Sequence, residues 1–184
     1  DKAVKCAELF CNESGSTLRF LIPLCLLFGQ KITLKGTERL MSRSLAVYKE
    51  MCLSQGIEFT EDKESVTVCG KLTAGKYSVR GDVSSQFISG LMFALPLLGS
   101  DSIIDITGAL ESGSYLGMTV KALAEFGVRI SRTDEHTIFI KGNQTYKPRT
   151  LRVEGDYSNA AFFEAFNSVG GNVAVAGLKK DTSQ

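Results

Sequence analysis

The sequence predicts an α/β fold assembled from copies of one strand-helix-strand-helix-strand-strand unit. Three observations carry that prediction. A small polar cluster followed by an apolar run occurs three times, aligned on Ser16, Ser84 and Ser158. An alternating apolar–polar stretch stopping at Gly follows each run. In the first two copies an amphipathic stretch and two short β-patterned stretches come next. Self-similarity of this kind marks repeated supersecondary units whose apolar faces are buried against one another.

Each element has a local reason. The apolar runs over residues 20–29 and 91–99 are too long for one strand and are predicted as helices. Pro23 and Pro96 fall inside them, where proline removes an N–H and should end or kink a helix. Residues 31–36, 102–108 and 172–177 alternate apolar and polar positions, the pattern of a half-buried strand. Residues 44–56 and 115–127 have apolar side chains at helical spacing. Gly56 and Gly127 stand where a left-handed C-terminal cap belongs. Strands over 57–60 and 65–69 then close the first copy, and strands over 128–131 and 137–140 close the second. The copies span about residues 4–72 and 74–142. A third opens near Leu151 and stops at Gln184 after a polar tail, so the chain is expected to be a piece of a longer protein.

Composition bounds the function classes. The chain has 184 residues, 43% hydrophobic and 22% charged, which is globular. A net charge of +1 argues against a nucleic-acid partner held by a general basic field. The apolar runs are too short to span a bilayer, and no basic-then-apolar signal opens the sequence, so no membrane partner and a cytoplasmic location are expected. Five cysteines lack C-x-x-C spacing and read as reduced, buried thiols. One histidine, His136, has no carboxylate or cysteine cluster beside it, so no metal and no cofactor are expected.

The polar clusters are the candidate chemistry. Ser84-Ser85-Gln86 follows a strand and opens a helix, where free backbone N–H groups suit a phosphate or carboxylate. Plain N-capping by Ser84 or Ser16 is the alternative for either cluster alone. One cap needs one hydroxyl, however, so Ser85 and Gln86 are surplus polar groups. Gly36-Thr-Glu-Arg39-Leu-Met-Ser-Arg43 is read as an exposed loop between a strand and a helix, where a guanidinium can reach an anion. Arg19 adds a cation just inside the first helix. The equivalent loop of the second copy, 110–115, offers Ser112 and Tyr115 instead, as a composite site on a duplicated scaffold would. No phosphate-binding glycine loop, dinucleotide turn, nucleophile elbow or zinc-protease helix is present.

The sequence resembles the 5-enolpyruvylshikimate-3-phosphate synthase family. The residues that carry the resemblance are Glu13-Ser-Gly-Ser-Thr-Leu-Arg19, Gly36-Thr-Glu-Arg-Leu-Met-Ser-Arg43, Gly81-Asp-Val-Ser-Ser-Gln86, Ser112-Gly-Ser-Tyr115 and Val153-Glu-Gly-Asp156. The resemblance implies two domains, each of three β-α-β-α-β-β units around a pseudo-threefold axis, with the active site between them. Residues 1–154 would then hold two units of the N-terminal domain, and residues 155–184 would begin the other.

It also implies site roles. Ser84, Ser85 and Ser112 match ligands of the 3-phosphate of shikimate 3-phosphate, and Tyr115 matches a tyrosine beside the shikimate ring. Gln86 matches a glutamine between the two substrates. Gly15 and Arg39 match groups that line the phosphoenolpyruvate pocket, with Ser16 and Arg19 as further candidates. The implied reaction moves the carboxyvinyl group of phosphoenolpyruvate to the shikimate 5-hydroxyl and releases phosphate. The family's acid and base residues have no match in this chain, so no catalytic residue is assigned and the isolated piece is expected to be inactive.

Two departures surround Gly15. Glu13 stands where many members have Asn, and Phe20 where many have Pro; both bear on sensitivity to glyphosate, which occupies the phosphoenolpyruvate site in the family. Two alternatives are a UDP-N-acetylglucosamine enolpyruvyl transferase and a non-catalytic binding module of the same fold. The first is disfavoured by the absence of cysteine between Thr37 and Ser44. A monomeric whole enzyme is implied, with self-association of the piece through uncovered apolar faces.

Overall fold

The computed structural model describes residues 6–110 and 113–180. In the first repeat, β1 (Cys6–Asn12) runs parallel to β2 (Lys31–Gly36), and α1 (Gly15–Cys25) makes the crossover. A one-turn helix α2 (Glu38–Met41) and α3 (Ala46–Ser54) lead to the hairpin of β3 (Glu58–Glu61) and β4 (Ser65–Cys69). β4 inserts antiparallel beside β2, giving the order β1-β2-β4-β3.

The second repeat copies this order. β5 (Lys76–Arg80) is parallel to β6 (Ser102–Thr107), joined by α4 (Ser85–Ala94) and a 3-10 turn (Leu95–Leu97). α5 (Gly113–Glu125) leads to β7 (Ile130–Arg132) and β8 (Thr137–Ile140), and the order is β5-β6-β8-β7. Both copies therefore carry the predicted unit.

Alternation sets which face of each sheet is buried. Ile32 and Leu34 on β2 lie opposite Val68 and Val66 on β4, and all four are buried. On the second sheet Ile104 faces Ile138 in the same way. A slip of one residue would turn every one of these side chains to solvent, so the register is strongly fixed. Above the sheets, Leu18 and Ile22 of α1 and Ile88, Leu91 and Met92 of α4 join a single core shared by the two repeats. Phe20 of α1 meets Phe93 of α4 edge-on, with ring centroids 5.1 Å apart.

Pro96 behaves as expected, since α4 ends just before it and gives way to the 3-10 turn. Three local expectations are corrected. Pro23 lies within α1 and does not end it. Residues 38–41, read as loop, form a helical turn because Thr37 Oγ1 accepts the Leu40 N–H at 3.3 Å and caps it. Residues 172–176 form no strand. A strand needs a ladder partner for its N–H and C=O groups, and here Val173 bonds Asn167 through both backbone groups instead.

Backbone contacts divide the chain into two compact units after Tyr146. The second contains α6 (Tyr157–Ser168), capped by Asp156, whose Oδ1 accepts the Ser158 N–H at 2.8 Å. Among the described residues no helix is long and apolar enough to cross a membrane, and no group of three His, Cys, Asp or Glu side chains could hold a metal ion.

Two predictions test this packing. Leu91 is completely buried between the repeats, so Leu91→Ala should lower the unfolding free energy by about 2–5 kcal/mol in urea titration. The second concerns pH. Burial raises the Cys25 thiol from its ordinary 9.0 to about 11 and the Cys52 thiol to about 12. Both native thiols hold their protons above pH 9, where the unfolded chain releases them, so stability is full below that pH and falls as pH rises toward the native values. The urea midpoint should drop between pH 9 and 11 in the wild type, and less steeply in Cys52→Ala.

Candidate functional site

The site grows from two equivalent helix starts. Ser14 Oγ accepts the Thr17 N–H at 3.1 Å and caps α1, placing Gly15, Ser16 and Arg19 on its first turns. Ser84 takes the same place on α4, its Oγ 3.4 Å from the Gln86 nitrogen, with Ser85 and Gln86 on the first turn. α1 and α4 occupy the same position in adjacent repeats and pack together in the shared core, so their N-terminal turns converge.

Side chains then connect the two starts. Arg19 Nη1 donates to Gln86 Oε1 at 2.7 Å, and Gln86 Nε2 donates to Ser16 Oγ at 2.9 Å. Guanidinium has donors only, so it fixes which end of the Gln86 amide faces it. Arg19 is half-buried, and its guanidinium carbon lies 4.9 Å from the centroid of the Phe87 ring. Its Nε is buried with no hydrogen-bond partner among the described residues.

A second guanidinium approaches from the segment after α2. A Cβ built on Gly15 would lie 2.9 Å from Arg43 Nη1 and 3.2 Å from Arg19 Nη1. Gly15 is therefore a place where two cations close on bare backbone, and a methyl there would displace one of them. Burial, then the Arg43 charge, lowers the Arg19 pKa from its ordinary value. Among the described residues no carboxylate forms an ion pair with either arginine. Two like charges converging over a glycine, at a helix N-terminus and without a counter-charge, make a seat for an anion.

The remaining candidates are placed unevenly. Ser85 is buried in the first turn of α4. Tyr115 lies in the first turn of α5 rather than in a loop, and its side chain is exposed. That turn is tied to α4, because the Thr119 hydroxyl donates to the Tyr115 carbonyl at 3.0 Å and pairs with Ser89 Oγ at 2.8 Å. Ser112 lies outside the described residues. Arg39 is exposed on α2 and makes no hydrogen bond to the Arg19–Gln86 cluster. Glu13 is exposed, and Phe20 packs on Phe93. Arg43 has no local sequence signal for its role: it lies beyond the end of α2, and its approach to Gly15 follows from tertiary packing. A cavity of about 410 Å³ between α3 and β5, lined by Glu50, Met51, Tyr77 and Arg80, includes none of these residues.

Comparison with known proteins places the fold and the family. The fold matches that of an EPSP synthase from Acinetobacter baumannii with a TM-score of 0.67 at 20% identity, over 85% of this chain and 35% of that one. That likeness shows a shared fold. The family model described as EPSP synthase (3-phosphoshikimate 1-carboxyvinyltransferase) matches residues 2–184, and the chain belongs to that family. A 3-phosphoshikimate 1-carboxyvinyltransferase of Clostridium kluyveri is 46% identical over 98% of this chain and 43% of its own length. One of Clostridioides difficile is 44% identical over 95% of this chain and 40% of its own. The chain thus spans about two fifths of the length of the curated relatives it matches.

The charge arrangement yields a test. Inorganic phosphate should raise the melting temperature of the chain. Arg43→Ala, by relieving repulsion on Arg19, should be no less stable than wild type in low salt and should lose most of the phosphate effect. An undiminished phosphate effect in that variant would rule Arg43 out of the seat.

Proposed function

We propose that this chain supplies one wall of the active site of a soluble, cytoplasmic enzyme that transfers the carboxyvinyl group of phosphoenolpyruvate to the 5-hydroxyl of shikimate 3-phosphate. The observation that carries the reading is the Ser16–Gln86–Arg19 network beside Gly15 and Arg43, an anion seat without a counter-charge. Membership of the family supports the choice of substrates.

The reaction joins two phosphorylated anions that repel one another. The hydroxyl gives up its proton to a base as its oxygen adds to C2 of phosphoenolpyruvate, an acid delivers a proton to the methylene carbon, and a tetrahedral intermediate forms. Loss of a proton from that carbon then expels phosphate and restores the double bond. In this reading Arg19, Arg43, Ser16 and the Gly15 backbone hold the phosphoenolpyruvate anion, with Arg39 closing on it. Ser84, Ser85 and Ser112 take the 3-phosphate, and Tyr115 lies along the ring. Gln86 sits between the substrates, its second amide N–H left over after Ser16 is bonded. Held donors at both phosphates replace solvent and offset the repulsion before chemistry begins. Acid–base steps fall to groups outside this chain, which gives binding without turnover. Residues 155–184 open the second domain, and the whole enzyme is a monomer.

The test is a titration of the chain with shikimate 3-phosphate, followed by amide NMR shifts. Saturable shifts are expected at Ser84, Ser85, Gln86 and Tyr115. Ser85→Ala should weaken binding by about tenfold, the scale of one hydrogen bond to a charged group. Unchanged spectra at millimolar ligand, or equal shifts with unphosphorylated shikimate, would sink the assignment.

A further inference from the structure

We propose that Tyr48 is a positioning residue that sets the distance between Arg19 and Gln86. The proposal rests on the anion-site reading above and begins with Pro23. In a helix the N–H of residue 23 would bond the carbonyl of residue 19. Proline has no N–H, so the Arg19 carbonyl is left open within α1. The Tyr48 hydroxyl, arriving from α3, lies 2.8 Å from it. The same hydroxyl lies 2.9 Å from the carbonyl of Phe87 on α4.

These two carbonyls are not arbitrary. One belongs to Arg19 itself, and the other to the residue directly after Gln86. One phenol therefore bridges the two turns whose side chains make the 2.7 Å Arg19–Gln86 bond. Its ring acts alongside the hydroxyl. It meets Phe87 edge-on at 4.9 Å, and Phe87 in turn lies under the Arg19 guanidinium. Gly90 makes the approach possible, since a Cβ there would lie 2.2 Å from Tyr48 Oη and 2.6 Å from the Arg19 carbonyl oxygen. Tyr48 has no exposed surface, so in this proposal it acts through Arg19 and Gln86.

A purely structural role, filling the bond that Pro23 removes, predicts something different, and Pro23→Ala separates the two. In P23A/Y48F the Arg19 carbonyl regains an intrahelical donor, but the bridge to Phe87 stays cut. Three readouts on the full chain decide: the urea midpoint, the Kd for phosphoenolpyruvate, and the side-chain amide resonances of Gln86 without ligand.

Y48F is expected to lower stability, weaken phosphoenolpyruvate by roughly tenfold, on the scale of a small misplacement of a binding group, and move the Gln86 amide signals. P23A/Y48F should recover most of the stability while the Kd stays weak and the Gln86 signals stay moved. Recovery of affinity together with stability would overturn the proposal, as would Gln86 signals unmoved in Y48F. If wild type binds no phosphoenolpyruvate but the Gln86 signals still move in both variants, the substrate reading fails and the positioning role stands.

Discussion

The close approach of α1 to α4 is the constraint on which the rest of the structure depends. The repeats are separate sheets, and what joins them is a helix from each, pressed together at Gly90. No other residue fits there, because a side chain would collide with the Arg19 backbone and the Tyr48 hydroxyl together. The apolar core alone would tolerate a looser fit, since hydrophobic contact is non-directional. The hydrogen bonds of Tyr48 are directional, and they convert a shared core into a defined spacing between two helix starts.

That spacing explains how an unneutralised cation is tolerated. Burying a guanidinium without a carboxylate is unfavourable unless its donors are satisfied. Arg19 is supported by a carbonyl oxygen of Gln86 and by the face of Phe87, while its Nε remains unpartnered. Arg43 then adds repulsion. Among the described residues, Arg19 Nε is a buried side-chain nitrogen left without a partner, and such departures from full polar satisfaction concentrate where binding happens.

The sequence made the repeat legible because alternation and helical spacing are local signals. β2, β4 and β8 lie where their patterns put them, and Gly56 and Gly127 do adopt the left-handed conformation that ends α3 and α5. Two of the misreadings turn on a distant partner, whereas the turn at residues 38–41 is capped locally by Thr37. Pro23 stays helical because the freed Arg19 carbonyl is met from α3, 29 residues further on in sequence. Residues 172–176 carry a strand pattern but have no neighbouring strand among the described residues. Ser85 and Gln86 are readable as surplus polar groups beside the Ser84 cap. The pairing of Gln86 with Arg19 is not, since the two residues lie in different repeats.

Duplication gives this site its logic. Equivalent elements of a repeat present equivalent backbone, so α1 and α4 both offer an N-terminal turn with a serine cap and open N–H groups. Identical side chains at both would make two weak anion seats side by side. Divergence instead gives α1 an arginine and α4 a glutamine, and the two meet across the seam. Neither side chain can take that role within its own repeat, because each uses the other's helix as its support. A composite site of this kind requires the two repeats to keep one core, which ties recognition of the ligand to the packing that makes the fold.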